Sequence, residues 1–220
     1  MKIKAIITGS TGMVGDGVLH ECLLHPEVEM VLVISRRTCG VQHPKLKEII
    51  HADFSDFSSI MGEFTEYNAA FLCMGVSSIG LDEEKFIHFT YDLTMALAGL
   101  LAKQNPQITI CYVSGVGTDS SEKGKTMWAR VKGKTENSLL QLPIRQAYMF
   151  RPGFIRPTKG LKNAYKTYKL FNPIFPILKK VFPKYVCTLS EIGIAMINSV
   201  YKGYDKKILE VQDIVRLASN

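Results

Sequence analysis

Residues 2–15 read KIKAIITGSTGMVG, and the succession of residue types in that stretch decides the fold. Residues 2–8 form a short β-prone apolar run that stops at a glycine, the pattern of a buried strand. Beyond the glycines, Val14, Val18, Leu19, Cys22 and Leu23 recur at helical spacing until Pro26. Between strand and helix lies TGSTGMVG, a TGxxGxxG pattern over residues 8–15. In that setting Gly9 permits the tight turn, Gly12 lets backbone approach a pyrophosphate, and Gly15 lets the helix pack close to the strand. The phosphate would lie at a helix N-terminus, where free N–H groups and the helix dipole favour an anion.

Working outward, MVLVIS at residues 30–35 is a second apolar strand. Further strands are predicted at 46–52, 69–73, 108–114 and 146–150. Helices are predicted at 83–104, at about 126–140 and at 190–201, with a last short strand at 207–211. Strands that are apolar throughout and separated by helices imply a parallel sheet covered on both faces. The expected architecture is therefore α/β, a doubly wound Rossmann sheet in one domain over residues 1–220. Five of the nine prolines fall between Pro152 and Pro183, so residues 152–189 are expected to form a small irregular cap or lid within it.

Composition narrows the function. Apolar residues make up 46% of the 220 and charged ones 21%, which excludes disordered, collagen-like and coiled-coil chains. No apolar run approaches the roughly 20 residues needed to span a bilayer. The apolar start is interrupted at residues 8–12, too early for a signal-peptide core. The five cysteines are odd in number and carry no CxxC pair, so a disulfide framework or zinc site is not expected and a reducing cytoplasm is. The formal charge of +7 is unevenly placed: residues 151–220 carry 13 Lys+Arg and 4 Asp+Glu, while residues 1–150 are slightly acidic. No carboxylate occurs between Glu136 and Glu191.

The residues after the second strand select the nucleotide. An acid there would bond the ribose 2′-hydroxyl of NAD, whereas arginine accommodates the 2′-phosphate of NADP. The chain has Ser35-Arg36-Arg37 and no acid, which favours NADP over NAD. Asp53, closing the third strand, is placed to meet the adenine or else to cap a helix.

Six ordered motifs accompany the loop TGSTGMVG: SRR at 35–37, HAD at 51–53, FLCMG at 71–75, YVSGVG at 112–117, RVKGKTEN at 130–137 and FRPGFIRP at 150–157. Together they resemble the atypical short-chain dehydrogenase/reductase superfamily, in the NAD-dependent epimerase-like branch that includes the Tat-interacting-protein oxidoreductase. The resemblance implies that Gly9, Ser10, Thr11, Gly12, Met13, Val14 and Gly15 form the cofactor loop. It adds Arg36, Arg37, Asp53, Met74, Gly75 and Lys132 to the cofactor site, and no metal.

It also implies a catalytic Ser, Tyr and Lys, the last two spaced YxxxK so that both lie on one helical face. The Tyr hydroxyl moves the proton that accompanies hydride transfer, and the Lys lowers its pKa and holds the ribose. Ser114 and Lys132 match, but the position four before the lysine is Trp128. An indole N–H donates a hydrogen bond and does not shuttle a proton near neutral pH.

The leading expectation is an NADP(H)-binding oxidoreductase acting on a small or hydrophobic carbonyl or alcohol substrate. The alternatives are a catalytically weak NADP(H)-binding sensor or interaction protein, and a nucleotide-sugar epimerase-like enzyme. The last is disfavoured by the short chain remaining after Phe150. Cys73 and Cys111 are expected at the carboxyl edge of the sheet as inert buried thiols, because no base is spaced to activate them. The stretch 165–185 interleaves Tyr165, Tyr168, Phe171, Phe175, Phe182 and Tyr185 with lysines. It reads as a lid over a substrate pocket or as a peripheral contact with an anionic membrane. Nucleic-acid binding is not expected, since no recognisable module accompanies the charge. Monomer and homo-oligomer both remain open.

Overall fold

The computed structural model describes residues 2–161, 163 and 175–219. At its centre is β1 (Ile3–Thr8), whose side chains are buried almost throughout because strands cover it on both sides and helices on both faces. It pairs in parallel with β2 (Val28–Ser35) and with β4 (Ala69–Leu72). β3 (Leu46–Ile50) adds outside β2. On the other side follow β5 (Thr109–Val113), β6 (Gln146–Arg151) and β9 (Ile208–Glu210). The order β3-β2-β1-β4-β5-β6-β9, parallel throughout, is the doubly wound arrangement expected from the apolar strands. The order reverses between β1 and β4, and in such sheets ligands bind outside the carboxyl ends of the strands at that reversal.

Helices cover the two faces and divide the core. On one face α1 (Met13–Leu24), α6 (Leu189–Tyr201) and α7 (Val211–Ser219) bury Leu19, Cys22, Ile192, Met196, Ile214 and Leu217 against the sheet. On the other, a 3-10 turn (Ser58–Phe64), α3 (Leu93–Gln104) and α4 (Met127–Leu140) bury Phe64, Leu97, Leu101 and Leu139. α1 and α6 touch at small residues: a Cβ on Gly17 would lie 2.1 Å from Leu189 Cγ, and one on Gly193 2.6 Å from Glu21 Cγ. α6 begins with a reciprocal capping box. Thr188 Oγ1 accepts from the Glu191 amide at 3.1 Å, and Glu191 Oε2 accepts from the Thr188 amide at 2.7 Å.

Two expectations change in detail. The helix expected as one piece over 83–104 is α2 (Glu83–Ile87), a π turn (His88–Asp92) and then α3. The wider turn inserts a residue into the helix without stopping it, which leaves no mark on a period read by eye. The cap expected to be irregular contains short regular pieces: β7 (Phe154–Arg156) pairs in parallel with β8 (Val186–Thr188), and α5 (Phe175–Val181) precedes β8. Strands of three residues are too short to show alternation. Residues 165–174 of the basic-aromatic stretch lie outside the described residues. Among the described residues no helix is long and apolar enough to cross a membrane, and all five cysteines are free.

Candidate functional site

The glycine loop lies at the sheet reversal. β1 ends at Thr8, whose carbonyl accepts from the Cys73 amide at 3.3 Å, so the loops leaving β1 and β4 are pressed together. Gly9 sits at φ +75°, and a Cβ there would stand 2.5 Å from the Cys73 carbonyl oxygen; both conditions demand glycine. Gly15 is held as tightly, since its Cβ would fall 2.1 Å from the Gly9 oxygen. Gly12 is the exposed N-cap of α1, and no side chain caps that helix. The first N–H groups of α1 are therefore left to an external acceptor, as an anion site at a helix start requires. The Ser10 hydroxyl, 1% exposed, and that of Thr8 have no hydrogen-bond partner in the protein. An uncapped helix start, a cradle that admits no Cβ and orphaned hydroxyls fit a dinucleotide pyrophosphate.

In front of the loop a cleft of about 350 Å³ is lined by Gly9, Thr11, Gly12, Arg36, Asp53, Met74 and Gly75, all expected cofactor residues. A neighbouring hollow of about 440 Å³ shares Gly9, Thr11, Arg36, Phe54 and Met74 and adds Ile34, Ser35 and Arg37. Arg36 faces both spaces. Asp53 is exposed, and its Oδ1 accepts from the Ser55 hydroxyl at 2.5 Å and the Ser55 amide at 2.9 Å. Those two donors hold its carboxyl below the usual value, so it stands as an anion in a local turn. Ser10, Met13, Val14 and Gly15 do not line either space; Met13 and Val14 pack on the core, while Ser10 and Gly15 are buried.

Sequence reasoning missed Phe54, Ser55, Val76, His88, Phe89 and Leu93, which complete the cleft. Phe54 and Ser55 follow Asp53 directly, and that adjacency was the available signal. His88, Phe89 and Leu93 arrive through the π turn and its exit, so no sequence spacing announced them.

Ser114 and Lys132 do not line either of these spaces; they meet one another beyond β5. Lys132 Nζ donates to the Ser114 carbonyl at 2.5 Å. Burial pushes the Lys132 pKa down, and the negative charge of Glu136 pulls it partly back. The Ser114 hydroxyl, 5% exposed in its residue, donates to Glu136 Oε1 and lies 3.2 Å from the Phe150 carbonyl. Glu136 is 0% exposed and is neutralised by Arg151, whose Nε donates to Oε1 at 3.0 Å and whose Nη2 donates to Oε2 at 2.5 Å. Arg151 also reaches Glu210 at 3.2 Å and the Ser120 hydroxyl at 2.6 Å. The Arg151 guanidinium is thus committed to a buried carboxylate and not to an external anion.

The loop from β5 to α4 is clamped onto that helix. A Cβ on Gly133 would lie 1.8 Å from the Asp119 carbonyl oxygen, and the Asp119 amide donates to Ala129 at 3.0 Å. Arg130 closes the loop by donating to the carbonyls of Gly124 and Lys125 at 2.8 and 3.0 Å, and it grips both carboxylate oxygens of Glu83 at 2.8 Å. Trp128 lies half-buried in the first turn of α4 and packs beside Gly117, whose Cβ would meet its ring at 3.4 Å. The thiols of Cys73 and Cys111 are both raised by burial, that of Cys111 to about 12, which leaves them protonated and unreactive near neutral pH. Among the described residues no group of three or more His, Cys, Asp or Glu side chains gathers as metal ligands.

A family model described as the NAD dependent epimerase/dehydratase family matches residues 5–136. Curated relatives include Protein FMP52, mitochondrial, of Meyerozyma guilliermondii, 24% identical over 157 residues, covering 70% of this chain and 65% of that protein. Protein fmp52-1, mitochondrial, of Aspergillus oryzae is 29% identical over 156 residues, covering 68% and 64%. The match thus spans just under two thirds of those relatives' length. Among solved structures, the Bordetella bronchiseptica enzyme WbmF in complex with NAD+ superposes with a TM-score of 0.68 at 14% identity, covering 99% of this chain and 77% of that one. A short-chain dehydrogenase from Burkholderia cenocepacia in complex with NADP gives 0.67 at 14% identity, covering 98% and 93%. At such identities these structures show the fold. The names of the relatives overturn the cytoplasmic expectation: those proteins are mitochondrial by name. Free cysteines report that a setting is reducing and do not say which compartment it is.

Proposed function

The chain belongs to the NAD dependent epimerase/dehydratase family, and from that membership we propose that it is an NADP(H)-binding short-chain oxidoreductase for a small or hydrophobic carbonyl or alcohol substrate. The observation that carries the reading is the uncapped start of α1 behind Gly12, opening on the cleft that Arg36 shares with Asp53 and Met74. Gly9, Thr11 and Gly12 would hold the pyrophosphate, with Ser10, Met13, Val14 and Gly15 shaping the loop beneath it. Arg36 and Arg37 would take the 2′-phosphate, Asp53 the adenine, Met74 and Gly75 the far wall, and Lys132 the nicotinamide ribose. The dinucleotide supplies a hydride donor or acceptor when bound. Phe54, Val76, Phe89 and Leu93 in the cleft wall support an apolar substrate. The setting we propose is mitochondrial, after the names of the curated relatives.

One observation favours a second reading, an NADP(H)-binding sensor without turnover. Ser114 spends its hydroxyl on Glu136, and Trp128 stands where the resemblance implies a tyrosine. Ser114 and Lys132 remain the catalytic candidates. At the described end of the cap, exposed Val181, Phe182 and Tyr185 beside Lys180 and Lys184 support a peripheral membrane contact.

NADPH and NADH titrations by nucleotide fluorescence, followed by oxidation of bound NADPH against a carbonyl panel, test both readings. The oxidoreductase reading expects turnover in the wild type. Binding without turnover, with turnover appearing in Trp128→Tyr, supports the sensor and sinks the oxidoreductase. Reversing both arginines (Arg36→Glu, Arg37→Glu) should cost NADPH affinity on the order of a hundredfold and NADH little, as for two charge-assisted phosphate contacts. Equal loss for both nucleotides would remove the 2′-phosphate assignment.

A further inference from the structure

We infer that Glu136 is a positioning residue for Lys132: acting through Ser114, it sets where the lysine ammonium stands toward a bound nicotinamide dinucleotide. This inference rests on the dinucleotide-binding reading above and assigns a task to a carboxylate that reading leaves unused.

Lys132 and Glu136 are four residues apart on α4 and so share one face of the helix. From that face they grip the same residue at two of its atoms. Lys132 Nζ takes the Ser114 carbonyl at 2.5 Å, and Glu136 Oε1 takes the Ser114 hydroxyl. The Ser114 amide is spent on the Phe150 carbonyl at 2.9 Å. All three polar atoms of Ser114 are therefore used inside the protein. The hydroxyl is a strut, and the carbonyl is the acceptor against which Lys132 is parked.

The strut has a firm footing. Glu136 is wholly buried, and a buried carboxylate persists as an anion only when it is paired and hydrogen-bonded. Arg151 meets both its oxygens and is itself tied to Glu210 at the edge strand and to Ser120 in the β5–α4 loop. One connected set of polar contacts thus joins β6, β9, the β5–α4 loop and α4 at the place where Lys132 turns its ammonium. The Ser114 hydroxyl completes the hydrogen bonding of that carboxylate and at the same time ties it to the residue whose carbonyl holds Lys132. Groups held so that their own donors and acceptors are satisfied orient a functional side chain with little freedom to wander.

The test uses the full chain without added nucleotide, comparing wild type with Glu136→Gln and with Ser114→Ala. The readout is the rate at which Lys132 is acylated by an amine-directed reagent, measured by peptide mass spectrometry relative to exposed Lys123 in the same molecule. Both variants should raise that ratio on the order of tenfold, because a charge-assisted contact that parks the amine is lost or loosened. NADPH affinity should fall by a similar factor in both. Variants that melt normally and leave the ratio unchanged would overturn the inference, as would a raised ratio with undiminished NADPH affinity. Should Glu136→Gln fail to fold, Ser114→Ala, which deletes one hydroxyl, decides the matter alone. A wild type that binds neither NADPH nor NADH would sink the dinucleotide reading, and the inference with it; that failure is distinguished from the other because it appears before any variant is made.

Discussion

Alanine at Gly12 and alanine at Gly15 should have opposite effects, one on cofactor binding and one on stability. At Gly15 the new methyl carbon would stand 2.1 Å from the Gly9 oxygen, 2.4 Å from the Gly9 carbonyl carbon and 2.8 Å from the Ser10 nitrogen. Relaxed contacts between carbon atoms lie at about 3.5–4.0 Å, so backbone must move by more than about an ångström. It has nowhere to go, because Gly9 is already backed against Cys73. Overpacking of this kind costs about 1–3 kcal/mol, or about 2–12 °C in Tm for a domain of this size. At Gly12 the nearest atom would lie 3.4 Å away and the backbone is extended at φ −98°, conformations open to alanine. Alanine is a somewhat poorer N-cap than glycine, and the reduced freedom of the unfolded chain offsets this, so stability should stay within about 0.5 kcal/mol. The Gly12 methyl would nonetheless project at the exposed helix start where a pyrophosphate must approach. Thermal or urea unfolding together with NADPH titration reads both effects. Gly12→Ala should melt like wild type and bind NADPH at least about tenfold more weakly. Undiminished NADPH binding by Gly12→Ala would refute the phosphate role of the loop, and an unshifted Tm for Gly15→Ala would refute the packing argument.

Arg151→Ala should cost about 3–5 kcal/mol in urea unfolding, because it leaves the fully buried Glu136 without its counter-charge; a loss below about 1 kcal/mol would show that the pair carries little. Asp213, at the start of α7, is 5% exposed. Burial alone would raise its carboxyl, but Lys206 and Tyr204 donate to it at 2.8 and 3.0 Å and hold it below the usual value. A depressed carboxyl contributes stability that is complete above its unfolded pKa and is lost as pH falls through its folded one. Asp213→Asn should therefore be less stable by about 1 kcal/mol near neutral pH, with the gap closing in acid. A gap that persists unchanged at low pH would contradict that sign.

The site was legible in the sequence to the extent that its parts are local. Gly9, Gly12 and Gly15 announce themselves because a turn, a helix start and a close approach occur within eight residues. Arg36, Asp53 and Met74 were found because strands are apolar runs and each of these follows the end of one. Their assembly into one cleft follows from a parallel sheet, which brings successive strand ends to the same edge. Thr188 and Glu191 form a capping box whose spacing of three is present in the sequence, although it directly follows a proline-rich stretch with no regular period.

By itself the sequence determined a doubly wound parallel sheet, a phosphate-binding loop at its start and a tryptophan where a proton-moving tyrosine is implied. Those are consequences of period, of glycine and of residue identity, which short segments carry. Only the tertiary structure decided what Ser114, Arg151 and Glu136 do. Arg151 and Glu136 neutralise one another in the interior, and the Ser114 hydroxyl donates to the same carboxylate. Charge pairing in a low-dielectric interior depends on distance in space, and residues 15 apart along the chain meet there because α4 packs against β6.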